Sequence, residues 1–169
     1  MRLDFNVLWI EDQLDSVLAY RSKIERTIRN DGFKLQTEFA ISVAKAKKLL
    51  GAEIFGDHID LILMDYDLGV APMGDEGLVV VRKIFGYKDI IFYSADVAGL
   101  LKKVAEKKIQ GIFCSTRDDL PDTVEGVCCG RVALRDGLVT RSIQPFQFIT
   151  KKVFSPSPNR VFFYLNGNG

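Results

Sequence analysis

The sequence predicts an α/β fold in which a doubly wound, five-stranded parallel sheet carries helices on both faces. Strand-like and helix-like segments alternate five times within residues 1–134, and such alternation is typical of parallel sheets built from strand–helix units. Three of the strand-like segments are almost wholly apolar, as expected for strands that are buried on both faces. Each of these three ends on a polar side chain, which predicts a site at one edge of the sheet.

The elements follow in order along the chain. We predict strands at residues 5–10, 33–40, 59–65, 89–93 and 111–114. We predict helices at about residues 12–30, 42–50, 76–85, 97–108 and 118–134. The first helix is predicted from apolar residues that recur near a 3.6-residue spacing. The second strand is predicted from alternating apolar and polar residues. Gly32 is well placed to end the first helix.

Residues 135–169 break this alternation. They contain two apolar, strand-like runs separated by Ser155–Pro158, and they end in Asn166–Gly169. We therefore divide the chain into a domain at residues 1–134 and a C-terminal extension at 135–169, to which the sequence assigns no role. An added hairpin, an arm that forms a homodimer and a poorly ordered end remain alternatives.

Composition limits the class of protein. Hydrophobic residues make up 47% of the chain and charged residues 27%, which supports a soluble domain with a sizeable core. No apolar run approaches the ~20 residues of a membrane span, and the N-terminus lacks the layout of a signal peptide. The three cysteines show no metal-ligand spacing. These features favour the reducing cytoplasm.

The net charge of +1 conceals an asymmetry. Residues 1–129 contain 17 basic and 21 acidic side chains, whereas residues 130–169 contain six basic side chains and one acidic. A basic tail can bind nucleic acid or an acidic partner. A solvated or docked segment is the commoner explanation, so we do not expect nucleic acid as a partner.

The polar ends of three strands define the candidate site. The first apolar run stops at Glu11 and Asp12, the third stops at Asp65, and the fourth stops at Ser94. Carboxylates that converge raise one another's pKa unless a cation joins them. Mg²⁺ resolves that repulsion with few carboxylates and leaves room for a phosphate. Such a site suits the transfer of a phosphoryl group to one carboxylate.

These motifs resemble the receiver domain of two-component response regulators. The resemblance covers roughly residues 4–134 and rests on Val7–Gln13, on Asp60–Gly69 and on the Ser94-Ala95 step. It implies the five-stranded sheet order 2-1-3-4-5. It also implies a partner sensor histidine kinase or phosphotransfer protein, and an output protein that the sequence does not identify.

The resemblance also implies roles for single residues. Asp65 would accept the phosphoryl group, and Glu11 and Asp12 would bind Mg²⁺ together with Asp65. Asp67 would contribute its backbone carbonyl to the metal. Ser94 would donate a hydrogen bond to the phosphoryl group.

The sequence departs from the receiver pattern at strand five. Receivers normally carry a lysine there, whereas this chain has Ser115-Thr116 followed by Arg117. Arg117 is the candidate substitute, although a guanidinium on a loop differs from a lysine fixed on a strand. The aromatic position that often reports the switch falls on Ile112. The loop that contains Gly69–Asp75 is longer than usual.

Two other functions compete with this interpretation. A pseudo-receiver would keep the pocket, bind a partner and ignore phosphate, as the missing lysine suggests. A metal-dependent phosphohydrolase would use the Asp65-x-Asp67 spacing, but the early acidic pair and the lack of an evident cap domain fit it poorly. We therefore expect no enzymatic turnover. The single histidine, His58, and the absence of a Gly-x-Ser-x-Gly elbow argue against a serine hydrolase.

Overall fold

The structure is a computed structural model that describes residues 3–50, 58–109 and 111–135. These residues form five strands and five helices in alternation. The strands are β1 Leu3–Ile10, β2 Phe33–Ala40, β3 Leu61–Asp65, β4 Asp89–Tyr93 and β5 Ile112–Ser115. The helices are α1 Leu14–Asn30, α2 Val43–Leu50, α3 Gly74–Phe85, α4 Val97–Glu106 and α5 Leu120–Arg135.

All five strands are parallel and form one sheet in the order β2-β1-β3-β4-β5. The predicted fold class is therefore confirmed, including the strand order. β3 occupies the centre and is buried along its whole length, which explains its uninterrupted apolar sequence. β2 lies at an edge, and its burial is mixed, which agrees with the apolar–polar alternation of its sequence.

The sheet separates two hydrophobic cores because successive strand residues point to opposite faces. One core packs α1 and α5 against the sheet and includes Trp9, Leu63 and Tyr93. The other core packs α2, α3 and α4 against the opposite face and includes Met64 and Phe92. Two helices on one face and three on the other make the sheet doubly wound.

Several predicted boundaries shift by one or two residues. α1 begins at Leu14 rather than near Asp12, and α3 begins at Gly74 rather than Glu76. α4 ends at Glu106, and β5 extends to Ser115. Asp12 precedes α1, and its carboxylate accepts a hydrogen bond from the backbone of Gly69 in the loop between β3 and α3.

No helix in the described ranges is long and apolar enough to span a bilayer. The predicted C-terminal extension lies outside the described residues except for Arg135. The division of the chain near residue 134 therefore stays a prediction.

Candidate functional site

Three carboxylates converge at the carboxyl edge of the sheet, where the sequence predicted a site. Glu11 and Asp12 follow β1, and Asp65 is the last residue of the neighbouring β3. One carboxylate oxygen from each residue lies within 4.8 Å of the other two. Glu11 is 0% exposed and Asp65 is 5% exposed. The chain therefore concentrates acidic groups in a largely buried pocket, which we call the acidic pocket.

Arg117 reaches into the acidic pocket from the loop between β5 and α5. Its Nη2 lies 3.0 Å from Glu11 Oε2 and 3.2 Å from Asp65 Oδ2. The same side chain donates a 3.3 Å hydrogen bond to Ser16 Oγ on α1. The sequence suggested Arg117 as a substitute for the missing lysine, and the structure places its charge between two of the predicted site residues.

The Arg117 loop is tied to α1 despite its position outside regular structure. Tyr20 on α1 donates a 2.6 Å hydrogen bond to the Asp118 carboxylate, next to Arg117. Thr116 Oγ1 and Asp119 exchange hydrogen bonds that close the turn before α5. These contacts fix the loop so that the Arg117 guanidinium points toward Glu11 and Asp65. The sequence did not predict this orientation.

Glu11 is held by hydrogen bonds to both of its oxygens. Its Oε1 accepts the Gln13 backbone N–H at 3.0 Å. Its Oε2 accepts the Tyr93 hydroxyl at 2.8 Å, in addition to Arg117. The Tyr93 oxygen in turn accepts the Trp9 indole N–H at 2.7 Å.

The sequence by itself assigned no role at the site to Tyr93 or Trp9. Strand alternation predicts only that Trp9 and Glu11 share a face, because they are two residues apart. The sheet register pairs Tyr93 with Asp65 on β3. Residues paired across neighbouring strands also share a face, so this register, which only the structure supplies, places Tyr93 beside the carboxylates.

Asp12 contacts the loop that follows β3. Its Oδ2 accepts the Gly69 backbone N–H at 3.0 Å. A Cβ atom at Gly69 would lie 2.7 Å from that same oxygen, so glycine allows this close approach. The other carboxylate oxygen of Asp12, Oδ1, is buried and has no hydrogen-bond partner among the described residues. This oxygen is therefore open to a ligand such as a cation or water.

Asp67 and Ser94 lie outside the three-carboxylate cluster. The Asp67 side chain is exposed, and the predicted role of its backbone carbonyl stays a prediction. Ser94 is 9% exposed and its Oγ accepts the Asp96 backbone N–H at 3.3 Å. The serine thus supports the turn before α4, as strand-end serines commonly do, and its predicted contact with a phosphoryl group stays a prediction.

The strand-five position where receivers carry a lysine is filled by a buried serine. Ser115 is 3% exposed, and its hydroxyl lies 3.0 Å from Thr123 Oγ1 on α5. This serine provides no charge to the pocket. Among the described residues, Arg117 is the cation with ion pairs to Glu11 and Asp65.

Burial and like charges shift the pKa values of two groups in the pocket. Burial, followed by the Glu11 charge, raises the pKa of Asp65 from 3.8 to about 6, against the opposing effect of Arg117. Burial, followed by the charge of Glu11, also raises the pKa of the Tyr93 hydroxyl. Tyr93 therefore keeps its proton and acts as a hydrogen-bond donor at neutral pH.

The acidic pocket fits a hard divalent cation. Three ionised carboxylates and one guanidinium leave a formal charge of −2. Carboxylate oxygens are the ligands that Mg²⁺ prefers in proteins. The unpartnered Oδ1 of Asp12 provides one ligand atom that no protein donor occupies. The side chains of Glu11, Asp12 and Asp65 are thus suited to hold such an ion, and the role of the Asp67 carbonyl stays a prediction.

Comparison with solved structures identifies the architecture. A response regulator receiver protein from Sinorhizobium medicae is 20% identical, with 76% of this chain and 97% of that chain covered at a TM-score of 0.52. The fold is that of a receiver domain. The RcsB response regulator from Salmonella typhimurium is 15% identical, with 88% of this chain and 68% of that chain covered at a TM-score of 0.55. No family model and no curated protein matches the sequence.

Proposed function

We propose that this receiver fold accepts a phosphoryl group on Asp65 in a Mg²⁺-dependent reaction and acts in two-component signal transduction. The observation that carries the proposal is the convergence of Glu11, Asp12, Asp65 and the Arg117 guanidinium at the carboxyl edge of the sheet. A nucleophilic carboxylate beside fixed positive charge is the arrangement that phosphoryl transfer requires.

Asp65 is suited to the role of nucleophile. Its pKa of about 6 leaves most of the carboxylate ionised at pH 7. In the proposed step an Asp65 oxygen attacks phosphorus in line, the bond between phosphorus and the donor histidine nitrogen breaks, and the nitrogen keeps the electron pair. Arg117 is already beside Asp65, so it can pair with the oxygens of the transferred group.

The proposed metal ligands are Glu11, Asp12 and Asp65, together with the backbone carbonyl of Asp67. A bound Mg²⁺ supplies positive charge that offsets the charge of the phosphoryl oxygens. Gly69 holds Asp12 in place through its backbone N–H. Ser94, at the end of β4, is the proposed hydrogen-bond donor to the phosphoryl group once it rotates away from the Asp96 backbone.

The proposed donor is a sensor histidine kinase or a phosphotransfer protein, and the proposed location is the cytoplasm. Phosphorylation adds charge and strong acceptors beside the loops that follow β3 and β4. The surface formed by β4, β5 and α4 would then change its affinity for an output protein. The protein would modify itself and would not turn over a phosphoester.

One observation favours a second candidate, a pseudo-receiver that binds a partner without phosphorylation. Arg117 bridges Glu11 and Asp65 and so neutralises part of the pocket from within the chain. A pocket whose charge is partly offset in this way is compatible with a purely structural role. Partner binding that persists unchanged in Asp65→Asn would identify this alternative.

Intact-protein mass spectrometry after incubation with acetyl phosphate and Mg²⁺ tests the leading proposal. We expect one added phosphoryl group on the natural protein. The adduct should be absent in Asp65→Asn and absent when EDTA replaces Mg²⁺, because the nucleophile or the metal is then missing.

Asp15→Asn is the matched control, because Asp15 is an exposed carboxylate in the first turn of α1. It should gain the same adduct as the natural protein. An adduct that persists in Asp65→Asn would contradict the assignment of the nucleophile. No adduct on the natural protein, despite Mg²⁺ binding in a parallel titration, would favour the pseudo-receiver.

A further inference from the structure

A buried chain of hydrogen bonds leads from the acidic pocket to the single tryptophan of the protein. Trp9 Nε1 donates to Tyr93 Oη at 2.7 Å, and Tyr93 Oη donates to Glu11 Oε2 at 2.8 Å. All three side chains are at most 1% exposed. Polar groups this deeply buried stabilise a fold only when each is satisfied.

The donor and acceptor roles along this chain are fixed by chemistry. An indole N–H can only donate, and an ionised carboxylate can only accept. Tyr93 must therefore accept from Trp9 and donate to Glu11. A tyrosine hydroxyl has one proton, so the chain has a single arrangement that satisfies all three groups.

Glu11 Oε2 is the point where this chain meets the charged groups of the pocket. The same oxygen accepts the Tyr93 hydroxyl at 2.8 Å and the Arg117 guanidinium at 3.0 Å. Arg117 also lies 3.2 Å from Asp65. Glu11 Oε2 is therefore the atom that joins the pocket to the Tyr93 hydroxyl.

We propose that Tyr93 is a positioning residue for the acidic pocket and that, through Tyr93, Trp9 responds to a cation bound there. This inference rests on the proposed function. It adds a chain of hydrogen bonds that connects the metal site to the hydrophobic core between the sheet and helices α1 and α5. Residues that orient a metal ligand through a hydrogen bond typically change metal affinity by about 10–100-fold when removed.

Trp9 fluorescence makes this proposal testable, because the full chain contains one tryptophan. We would titrate Mg²⁺ into the natural protein while recording tryptophan emission, and measure binding independently by calorimetry. We expect the emission to change and to saturate along the calorimetric curve, because the indole N–H changes its hydrogen bond when Glu11 engages the cation.

Tyr93→Phe removes only the hydroxyl from the chain. We expect Mg²⁺ affinity to fall about tenfold and most of the emission change to disappear. Tyr87→Phe is the matched control, since Tyr87 is 100% exposed, and it should behave like the natural protein. Glu11→Asp retains the charge but shortens the side chain, so it breaks the same contact from the other end and should also uncouple Trp9.

The possible failures are distinguishable. Calorimetric saturation without a change in Trp9 emission in the natural protein would overturn this inference and leave the proposed function standing. If both Tyr93→Phe and Glu11→Asp bound Mg²⁺ with the affinity of the natural protein and showed its full change in Trp9 emission, Tyr93 would only fill space in the core. No calorimetric binding of Mg²⁺ to the natural protein would overturn the proposed metal site and this inference with it.

Discussion

The two faces of the sheet carry different charged contacts. On the face covered by α1 and α5, Glu11 is bound by Tyr93 and Arg117 with 0% of its surface exposed. On the opposite face, Lys103 of α4 contacts the ring and hydroxyl of Tyr66. Nearby, Lys107 pairs with Asp75 at 3.3 Å, with 45% and 24% of their side chains exposed.

The contacts on the first face are buried, whereas the ion pair on the second face is exposed to solvent. Removal of one partner of a buried charged pair leaves a charge without solvent or counter-charge, so the pair is costly to break. A pair exposed to water loses little when it breaks, because water replaces the partner. We therefore expect the α1/α5 face to hold the site in shape and the α3/α4 face to rearrange readily.

Arg117→Gln should produce the largest effect. It leaves the buried Glu11 carboxylate without its cation, so we expect the free energy of unfolding at pH 7 to fall by about 2–4 kcal/mol. The Arg117 side chain is 32% exposed to solvent. The expected loss of stability is therefore smaller than the largest losses seen when a fully buried ion pair is broken. Urea denaturation followed by circular dichroism measures it.

Arg117→Lys is the matched control for charge. It retains one positive charge without the planar pair of donors, so it should recover part of the lost stability. A loss below about 1 kcal/mol in Arg117→Gln, as for a surface pair, would show that the two faces do not differ in the way proposed.

Asp65→Asn should have an effect of the opposite sign. The folded protein raises the pKa of Asp65 from 3.8 to about 6, so ionised Asp65 destabilises the fold at pH 7. The substitution should increase the free energy of unfolding by on the order of 1–3 kcal/mol in the absence of metal. Urea denaturation at pH 7 with EDTA measures this gain.

The pH dependence of that gain tests its cause. Between pH 6 and pH 4 the folded state binds the Asp65 proton more tightly than the unfolded state does. The free energy of unfolding of the natural protein therefore gains from Asp65 as the pH falls. The advantage of Asp65→Asn should therefore shrink from pH 7 to pH 4. An advantage that stays constant with pH would assign the effect to something other than ionisation.

Lys107→Met should have a smaller effect than either pocket variant. It breaks the exposed pair with Asp75, so we expect a loss of at most about 1 kcal/mol. Arg29→Met breaks the exposed pair with Glu25 within α1, far from the pocket, and should lose about 0.3–0.5 kcal/mol. A loss in Lys107→Met that approaches that of Arg117→Gln would remove the contrast between the two faces.

Much of the fold followed from local patterns. The apolar runs at β1, β3 and β4 predicted buried parallel strands, and all three lie in the centre of the sheet. Their polar ends predicted that Glu11, Asp12 and Asp65 would meet, because parallel strands end at one edge. The contact between Asp12 and distant Gly69 could not be predicted, since residues 57 positions apart meet only through the tertiary structure.

The sequence by itself determined the order of elements, the buried strands and the acidic group at their ends, because strand and helix periodicity are properties of neighbouring residues. The tertiary structure alone decided that Arg117 binds Glu11, 106 positions away, and that Tyr93 links Glu11 to Trp9. Such contacts depend on loop direction and on side-chain geometry across strands. Neither is encoded in the spacing of residues along the chain.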